Sequence, residues 1–598
     1  MHISRIEITN FRNFGHLNVE LGTKTVVVGE NNVGKSNLLF ALRLLFDPAL
    51  PDAARELRQE DFWDGMTDPI ATKQSIEVIA EIQGFEGNKN LLSVLQGHLV
   101  ASTPAPTARL TYRFRPRASL PSGQPQSTND YEFIVFGGID EKNRVGQDVR
   151  RWLPLDLLPA LRDSESDLAS WRRSPLRPLI ERLQVDDATL KAVAQAIDAA
   201  TGQLQAHADV QGLEQAIADR LTKMVGQFTS IGPSLGFAST KPDRLLRTLN
   251  MFGDGPEKRP IGEMSLGFLN VLYLLLLAIE LERKEGAGER ASTLLAIEEP
   301  EAHLHPHLQR LLFKDFLRRD TPLLLTTHSP HIASVTPLLD LLLLREDRAS
   351  NQSVARSALG AGLSDQDAAD LERYLDATRA EILFARGVIL VEGAAELFLV
   401  PAIASGMGIS LDEHGVTVCA VHGIDFAPYA KLLGQGALAV PHVVITDFDP
   451  YETGKGTESR GMRRGVNLAD ALGVLKSELD GLYASGDWEQ LRQRLAEVAV
   501  FVGGTTLETD LVDAGLLPEI RETFADLHAP QDFVALLDQS IAAGTPLDPE
   551  TRARMLRGVE RMGKGRFAQR LAARVDAARS PAYVKDAITR IVELVNQA

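Results

Sequence analysis

The first 30 residues alternate apolar and polar side chains and then become continuously apolar. Isoleucines at positions 3, 6 and 8 mark the alternation, and three valines follow at 26–28. This pattern predicts strands that lead into a glycine turn. A helix is expected from about Lys35 to Phe46, ending near Pro48. Further strands are expected at 75–82 and 109–115, and five prolines between 101 and 129 predict long hairpin loops.

The middle of the chain changes to helical spacing, from about residue 176 to 227. Leu213, Ile217, Leu221 and Val225 recur at every fourth position and form one apolar stripe. Such a stripe packs against its own core or against a second subunit, and the sequence leaves both open. Strand-and-helix character returns at 259–344, a polar stretch at 345–370 suggests a linker, and a second alternation begins at 385. We therefore expect an α/β protein of two to four domains.

Composition narrows the class of protein. The two longest apolar runs, 268–281 and 338–344, are shorter than the roughly 20 residues that span a bilayer, so we expect buried core and no membrane. The N-terminal residues lack the pattern of a signal peptide. The single cysteine, Cys419, fits a reducing compartment, and we expect a cytoplasmic protein.

Charge bears on nucleic-acid binding. The net charge of −17 argues against a protein that coats DNA through bulk electrostatics. One segment is basic, because residues 551–575 hold eight Lys or Arg and only Glu560 opposing them. This segment is either a solvated helix face or a local grip on DNA.

A glycine-rich segment follows the valine run. The sequence GENNVGKS at 29–36 has the spacing of a phosphate-binding P-loop. Its glycines let backbone N–H groups turn inward around phosphates, Lys35 reaches the β and γ phosphates, and Ser36 holds Mg²⁺. The helix that follows adds its positive N-terminal end. The predicted ATP-binding residues of this segment are Gly29, Asn31, Asn32, Gly34, Lys35 and Ser36.

A second acidic segment completes the predicted ATP site. An apolar strand at 293–297 delivers Glu298 and Glu299 to its C-terminal end, where ligands of α/β sheets bind. Glu298 is expected to hold magnesium through its water shell. Glu299 is expected to orient and deprotonate the attacking water. Behind a P-loop, this pair predicts an ATPase.

The motifs ITNFRNF at 8–14, IEEPEAHLHP at 297–306 and TTHSP at 326–330, with the P-loop, resemble the RecF/SMC branch of the ABC ATPases. The resemblance covers about residues 1–345, less the helical insertion, and adds Arg12 to the expected ATP-binding residues. It implies that residues 301–305 form the D-loop and that His328 is the switch histidine near the γ-phosphate. The D-loop also explains His303 and His305 without a metal site, and no acidic or cysteine ligands at zinc spacing accompany them.

The same resemblance implies a signature motif at 264–267, which acts on ATP bound by a partner subunit. Ser265 and Gly267 match the family pattern. Where the family usually has Ser-Gly-Gly-Gln, this chain has Ser265-Leu266-Gly267-Phe268. This departure leaves the rate of ATP turnover open.

Carboxylates follow three predicted strands in the last third of the chain. The apolar run 388–391 ends at Glu392, and Glu396 follows at the start of a helical pattern. The run 443–446 ends at Asp447 and Asp449, which in an extended chain project to the same side. The third run, 498–502, precedes the segment TLETDL at 506–511.

Carboxylates gathered at strand ends repel one another, and divalent cations relieve that repulsion. Two such cations can hold both the attacking water and the leaving oxygen of a phosphodiester. Ordinary polar caps at strand ends are the alternative. Three strands with acidic ends favour the metal site.

A strand ending at Glu392-Gly393, followed by Asp447-x-Asp449, resembles the Toprim domain of topoisomerases, primases and OLD nucleases. The order of ATPase first and Toprim last resembles the OLD (overcoming lysogenization defect) family over nearly the whole chain. This resemblance implies a catalytic lysine, for which we choose Lys564, with Lys455 as the alternative. It implies metal ligands at Glu392, Glu396, Asp447, Asp449, Glu508 and Asp510. The version with two carboxylates, at 392 and 396, resembles the class encoded beside a helicase in phage-defence systems of the Gabija kind.

These observations predict an ATPase head of the ABC type at 1–170 and 259–380, with a helical insertion at 171–258 and a Toprim domain at 381–598. The expected function is an endonuclease that uses ATP and Mg²⁺ (or Mn²⁺) to nick or cleave DNA, in phage defence or DNA repair. The expected partners are DNA, a second copy of the chain and a helicase. One alternative is a RecF-type DNA clamp without cutting. Another is a topoisomerase or primase, for which no separate domain with a nucleophilic tyrosine is evident.

Overall fold

The computed structural model describes residues 1–101, 105–120, 123–160, 168, 174–225, 245–249, 251–253, 259–286, 293–376, 378–450 and 458–597. The chain divides into two compact units. The first comprises Met1–Leu158, Ser292–Glu301 and Pro306–Ala598, and the second comprises Pro159–Ala291 and Ala302–His305. The first unit contains three sheets.

The first sheet is antiparallel and is built from the N-terminal hairpins. Its strand order is β2-β1-β4-β6-β5, with β7 paired to β6. The alternation at positions 3, 6 and 8 places those isoleucines in the core, as expected for a strand with one solvated face. The strands are β1 (His2–Phe11), β2 (Phe14–Glu20), β4 (Ile76–Gln83), β5 (Leu99–Val100), β6 (Thr107–Pro116) and β7 (Tyr131–Gly137).

The second sheet carries the P-loop. Its order is β12-β11-β3-β10-β9-β8, and all neighbours are parallel except β11 and β12. Its central strand is buried throughout, which explains the unbroken apolar run at 26–28. The strands are β3 (Lys24–Val28), β8 (Leu155–Leu158), β9 (Leu294–Glu298), β10 (Leu323–Thr327), β11 (Leu341–Asp347) and β12 (Gln352–Ser357).

The third sheet is parallel, with the order β14-β13-β15-β16. Its strands are β13 (Gly387–Val391), β14 (Val416–Ala420), β15 (His442–Thr446) and β16 (Val500–Val502). The strand that follows β13 in the chain, β14, lies on one side of it, and the next strand, β15, lies on the other side. Ligands of open parallel sheets bind at the carboxyl ends of strands where the order reverses in this way.

The described residues also form helices in both units. Those of the first unit before the insertion are α1 (Lys35–Phe46), α2 (Lys89–Leu95) and α3 (Gln147–Trp152). Those of the second unit are α4 (Leu176–Ile180), α5 (Asp187–Gln205), α6 (Ala208–Val225) and α7 (Leu266–Gly286). Those that follow are α8 (Pro306–Arg318), α9 (Pro330–Ala333), α10 (Asp365–Tyr374), α11 (Ala394–Gly406), α12 (Ala427–Leu433), α13 (Arg460–Ala471), α14 (Lys476–Ser485), α15 (Trp488–Glu497), α16 (Leu507–Leu511), α17 (Leu517–Asp526), α18 (Gln531–Ala543), α19 (Pro549–Met562), α20 (Lys564–Ala572) and α21 (Ala582–Gln597).

The expected secondary structure is confirmed at most positions, including the helix that begins at Lys35 and ends at Phe46. The helical character of 176–227 is confirmed as far as Val225, and residues 226 and 227 lie outside the described residues. Among the described residues no helix is long and apolar enough to cross a membrane.

Two expectations are wrong. Residues 345–370 are not a linker, because they contain the end of β11, all of β12 and the start of α10. The two strands pair with each other, so their polar residues belong to a sheet. The run 268–281 is not wholly buried, because Phe268, Leu275 and Ile279 are exposed on α7. An apolar helix that leaves one face open is typical of a surface that meets another chain.

Candidate functional site

The P-loop connects β3 to α1 and encloses Lys35. Gly29 has φ 156° and Gly34 has φ 91°, and a Cβ at Gly29 would lie 2.2 Å from the carbonyl oxygen of Leu344, so this position requires glycine. Lys35 Nζ donates to the carbonyl oxygens of Gly29 (3.1 Å) and Glu30 (2.8 Å). Burial lowers the pKa of Lys35 to about 8. The ammonium is thus held among carbonyl oxygens, which a phosphate can replace.

The acidic residues of β9 lie beside this loop, as the sequence predicts. Ser36 Oγ donates to Glu298 Oε1, so the two side chains expected at the nucleotide's magnesium meet directly. His328 Nε2 lies 2.9 Å from Glu299 Oε1, and its Nδ1 lies 3.4 Å from Lys35 Nζ. The parallel pairing of β9, β10 and β3 places all of these groups at one edge of the sheet.

Glu301 fixes the position of His328. Its carboxylate accepts hydrogen bonds from His328 N (2.6 Å) and Thr327 Oγ1 (2.9 Å). Burial raises the pKa of Glu301. Glu301, which the family resemblance assigns to the D-loop, therefore holds the backbone of His328, the residue expected to be the switch histidine.

The other expected nucleotide residues differ in their surroundings. Arg12 is committed to neighbours, since it bonds Asp61 Oδ1 (2.9 Å) and Asn37 Oδ1 (2.7 Å). Asn31 is exposed, and Asn32 adopts a left-handed conformation with φ 67°. The signature residues Ser265 and Gly267 belong to the second unit, at the start of α7, where a Cβ on Gly267 would meet the carbonyl oxygen of His303 at 2.6 Å.

The P-loop also bonds to the segment that opens the third sheet. Arg386 donates to Glu30 through Nε (2.8 Å, to Oε1) and Nη2 (3.0 Å, to Oε2). Arg345 Nη2 in turn donates to the carbonyl oxygen of Arg386 (3.1 Å). Gly387, the next residue, begins β13. A forked ion pair thus joins the P-loop to the residue before β13, the strand that Glu392 follows.

The carboxylates of the third sheet gather at its carboxyl edge, which is the proposed nuclease site. Glu392 Oε1 accepts hydrogen bonds from Thr446 Oγ1 and from Asp447 N (2.9 Å), so the ends of β13 and β15 are tied together. Asp447 Oδ1 accepts from Leu507 N (3.0 Å), which brings in the segment after β16. The sequence prediction that three strand ends meet is confirmed.

The geometric reason given for Asp449 is wrong. β15 ends at Thr446, and Asp449 has φ 46°, so the two aspartates do not project from one extended strand. Asp449 instead turns toward α13, where Arg464 Nη1 donates to its Oδ2 (2.8 Å).

The charges of this edge act strongly on one another. Burial, followed by the negative charges of Glu392 and Glu508, raises the pKa of Asp447 well above its usual value. Burial and the charge of Glu508 also raise the pKa of Glu396. A buried group of carboxylates without a compensating cation favours protonation, and a divalent cation reverses this preference.

Lys564 lies at this edge, as the sequence predicts. It begins α20, and its Nζ lies 4.0 Å from Glu508 Oε1. The carboxylate of Glu508 raises the pKa of Lys564, with Asp447 and Glu396 acting in the same direction. The alternative, Lys455, lies outside the described residues.

Asp510 has a different surrounding from the other expected ligands. Its Oδ2 accepts from Gly504 N (2.8 Å) and its Oδ1 from Thr505 Oγ1 (2.7 Å). Both oxygens therefore hold the loop after β16. The phenol of Tyr583 is buried nearby, and that burial raises its pKa well above the usual value.

Arg464 lies among these carboxylates, and the sequence patterns did not indicate it. Its Nη2 donates to Glu392 Oε1 (2.7 Å), Thr446 Oγ1 (2.8 Å) and the carbonyl oxygen of Asp447 (3.1 Å). Its side chain is only 14% exposed. The sequence shows two adjacent arginines, Arg463 and Arg464, shortly after Asp449. Which of them faces the carboxylates depends on the rotation of α13 about its axis.

Gly461 lets α13 approach the strand end. A Cβ at this position would lie 1.8 Å from the carbonyl oxygen of Asp447 and 2.8 Å from that of Phe448. Gly461 N donates to the carbonyl oxygen of Phe448 (2.9 Å). Because residues three apart on a helix share a face, this close approach also places Arg464 against the carboxylates.

The possible metal ligands at this edge are carboxylate oxygens. As the side chains stand, no three His, Cys, Asp or Glu side chains of the described residues are grouped closely enough to hold one ion. The cations of Arg464 and Lys564 lie among the carboxylates instead. Carboxylate oxygens are the ligands that Mg²⁺ and Mn²⁺ prefer, so the chemistry of the donors fits these ions.

Two family models match the chain. Residues 383–449 match the model described as overcoming lysogenization defect protein-like, TOPRIM domain. Residues 1–92 and 174–333 match the model of an AAA ATPase domain. The first match includes Glu392, Glu396, Asp447 and Asp449, and the second includes the P-loop, Glu298 and Glu299.

Individual proteins resemble the chain over most of its length. An OLD nuclease of Thermus scotoductus is 24% identical over 78% of this chain and 86% of its own. The endonuclease GajA of Bacillus cereus is 23% identical over 90% of this chain and 93% of its own. The solved C-terminal region of the Burkholderia pseudomallei OLD protein is 37% identical, with a TM-score of 0.31, and the alignment covers 36% of this chain and 99% of that structure.

Proposed function

Because this chain belongs to the OLD family, we propose that it is a DNA endonuclease that binds and hydrolyses ATP and whose Toprim domain uses divalent metal ions. One observation supports this proposal above the others. Carboxylates from three strand ends of the third sheet meet at one edge, with Lys564 beside them. A protein that only clamps DNA has no use for such an edge.

The residues of this edge would divide the reaction between them. Glu392, Glu396, Asp447, Asp449 and Glu508 would hold the metal ions, while Asp510 would hold the adjoining loop. Bound divalent ions supply an activated water and stabilise the leaving oxygen of a phosphodiester. Lys564 would neutralise charge that develops on the scissile phosphate, since an ammonium does this without binding metal.

The ATPase half would bind ATP·Mg²⁺ through Lys35, Ser36 and Glu298. Glu299, which pairs with His328, would accept a proton from the attacking water. In the proposal Ser265 and Gly267 complete this site in a second copy of the chain.

A plasmid assay tests the main proposal. Supercoiled plasmid is incubated with the protein in Mg²⁺ or Mn²⁺, with and without ATP, and with EDTA as the metal-free control. The proposal predicts nicked or linear DNA that depends on the metal and is lost in Asp447→Ala. Intact plasmid in every metal would instead support the DNA clamp of the RecF type.

We further propose a homodimer. Leu213 and Ile217 on α6 and Leu266, Phe268 and Leu275 on α7 are exposed, and both helices belong to the second unit. Light scattering at micromolar concentration should give twice the mass of the chain, and Phe268→Glu should lower that mass or weaken the association. A monomer that hydrolyses ATP at the full rate would contradict the dimer.

The finer parts of the proposal rest on the family resemblance. We propose ATPase segments at 1–170 and 259–380, a helical insertion at 171–258 and a Toprim domain at 381–598. We also propose that the enzyme is cytoplasmic, acts in phage defence and has a helicase as its partner. Co-purification with a helicase encoded beside it would test that partner.

A further inference from the structure

Arg464 joins the ends of β13 and β15 at the acidic edge, which is the carboxyl edge of the third sheet where Glu392, Asp447 and Asp449 lie. Its guanidinium group donates to Glu392 Oε1 (2.7 Å) on one side and to Asp449 Oδ2 (2.8 Å) on the other. Its Nε and Nη2 also donate to Thr446 Oγ1 (3.2 and 2.8 Å). One planar side chain therefore fixes groups from β13, β15 and the turn after β15.

These bonds determine which carboxylate oxygens remain for a metal ion. Glu392 Oε1 accepts from Thr446 Oγ1, from Asp447 N and from Arg464 Nη2. Three donors leave this oxygen no room for another ligand. Within the described part of the chain, Glu392 Oε2 and Asp449 Oδ1 accept no such bond, so they are the oxygens that can face a cation.

We propose that Arg464 is a positioning residue of the metal centre and sets its affinity for divalent ions. This inference rests on the proposed nuclease function. Arg464 holds Oε1 of Glu392 and Oδ2 of Asp449, and so presents the opposite oxygen of each to the metal. In this role Arg464 acts through the two carboxylates and not on DNA or the reacting atoms.

The role requires an arginine. A guanidinium group presents several N–H donors in a rigid plane and can bond two carboxylates at once. A lysine at this position keeps the charge but offers a single ammonium on a flexible stem. The two properties, charge and fork, can therefore be separated by substitution.

The test measures Mn²⁺ binding without DNA, from the electron paramagnetic resonance signal of free Mn²⁺. Groups that orient metal ligands typically change metal affinity about 10- to 100-fold when removed. We expect Arg464→Gln to raise the Kd for Mn²⁺ at least about tenfold and Arg464→Lys to raise it less, in line with this range. Arg463→Gln is the matched control, because Arg463 lies on the same helix and pairs with Asp480 outside the acidic edge. It should bind Mn²⁺ as the wild type does.

A second measurement separates positioning from catalysis. In single-turnover cleavage of plasmid, Arg464→Gln should approach the wild-type rate as Mn²⁺ is raised to saturation. A rate that stays low at saturating Mn²⁺ would overturn the proposal, since Arg464 would then act on the substrate. Wild-type or tighter Mn²⁺ binding in Arg464→Gln would also overturn it.

The outcomes distinguish this inference from the proposed function. A wild-type protein that binds no Mn²⁺ and cuts no DNA would refute the metal centre itself, and the inference with it. A wild-type protein that does both, alongside an unaffected Arg464→Gln, would refute only the role of Arg464. Thermal unfolding of each variant checks the fold, and Arg464→Lys carries the test if Arg464→Gln does not fold.

Discussion

Replacing Gly461 with alanine is expected to weaken the acidic edge although the change adds only one methyl group. The new Cβ would lie 1.8 Å from the carbonyl oxygen of Asp447, and contacts under 3.0 Å essentially never occur. The obstacle is backbone that ends a buried strand, so it cannot turn aside as a side chain does. Helix α13 must therefore retreat.

The size of the retreat follows from these distances. Reaching 3.0 Å requires a shift of about 1.2 Å, which would lengthen the 2.7 Å bond from Arg464 Nη2 to Glu392 Oε1 to about 3.9 Å, beyond hydrogen-bonding range. Forcing a methyl group into a packed site costs about 1–3 kcal/mol. The better helix propensity of alanine offsets about 1 kcal/mol of this. We expect a net loss of stability and a Kd for Mn²⁺ raised at least about tenfold, which corresponds to about 1.4 kcal/mol.

Thermal unfolding and Mn²⁺ titration measure the two effects. Gly465→Ala is the matched control, because Gly465 lies one turn further along α13 and its Cβ would meet the end of the Leu495 side chain at 2.7 Å. That side chain can move, so the control should keep Mn²⁺ affinity near the wild-type value. If Gly461→Ala binds Mn²⁺ as tightly as Gly465→Ala does, the close approach of α13 does not position Arg464, and the reasoning fails.

Three further predictions concern other sites. Lys35→Ala should lose ATP binding, because the charge that meets the β and γ phosphates is removed, while some plasmid cutting survives; ATPase activity equal to that of the wild type would contradict the P-loop assignment. Asp447→Ala should bind Mn²⁺ more weakly, and a higher Mn²⁺ concentration should restore part of its cleavage. Lys564→Ala should bind metal and DNA yet cut slowly in single turnover at any metal concentration. If saturating DNA restores the full cleavage rate of Lys564→Ala, then Lys564 only binds DNA. Burial raises the pKa of Asp340 from 3.8 to about 6, so the folded chain binds more protons than the unfolded chain across this range, and the wild type should lose stability as pH rises through it. The stability of Asp340→Asn relative to the wild type, measured by denaturation curves, should therefore rise with pH from 3.8 to about 6 and stay constant at higher pH. A stability difference that does not change with pH would refute the shift in pKa.

The sequence predicted those parts of the sites that depend on local pattern. The P-loop needs glycines at fixed spacing, and Glu298 and Glu392 each follow an apolar strand, so periodicity alone locates them. Parallel strands place their carboxyl ends together, which is why residues 50 or more apart could be assigned to one edge. Lys564 could be chosen because the family resemblance implies a catalytic lysine downstream of the carboxylates.

The remainder depended on relations that pattern does not encode. Asp449 leaves the strand through a left-handed turn at φ 46°, which alternation along a strand cannot indicate. Arg464 and Arg463 are adjacent and chemically identical, and only the rotation of α13 decides which one meets the carboxylates. The polar residues of β12 looked like a linker because this strand stands at the end of the sheet's strand order, and its pairing with β11, not an apolar pattern, makes it a strand.

The ion pair between Glu30 and Arg386 makes ionic strength an experimental variable for this molecule. Both side chains remain partly exposed, at 38% and 42%, so dissolved salt screens their attraction, and such pairs contribute only about 0–1 kcal/mol. The apolar strands on either side are insensitive to such screening. Added salt should therefore weaken the bond between the P-loop and the residue before β13 in the wild type, while both sheets stay folded. Glu30→Gln, which lacks this ion pair, is the comparison. Any influence of one site on the other that vanishes with salt in the wild type, and is already missing in Glu30→Gln, travels through this pair.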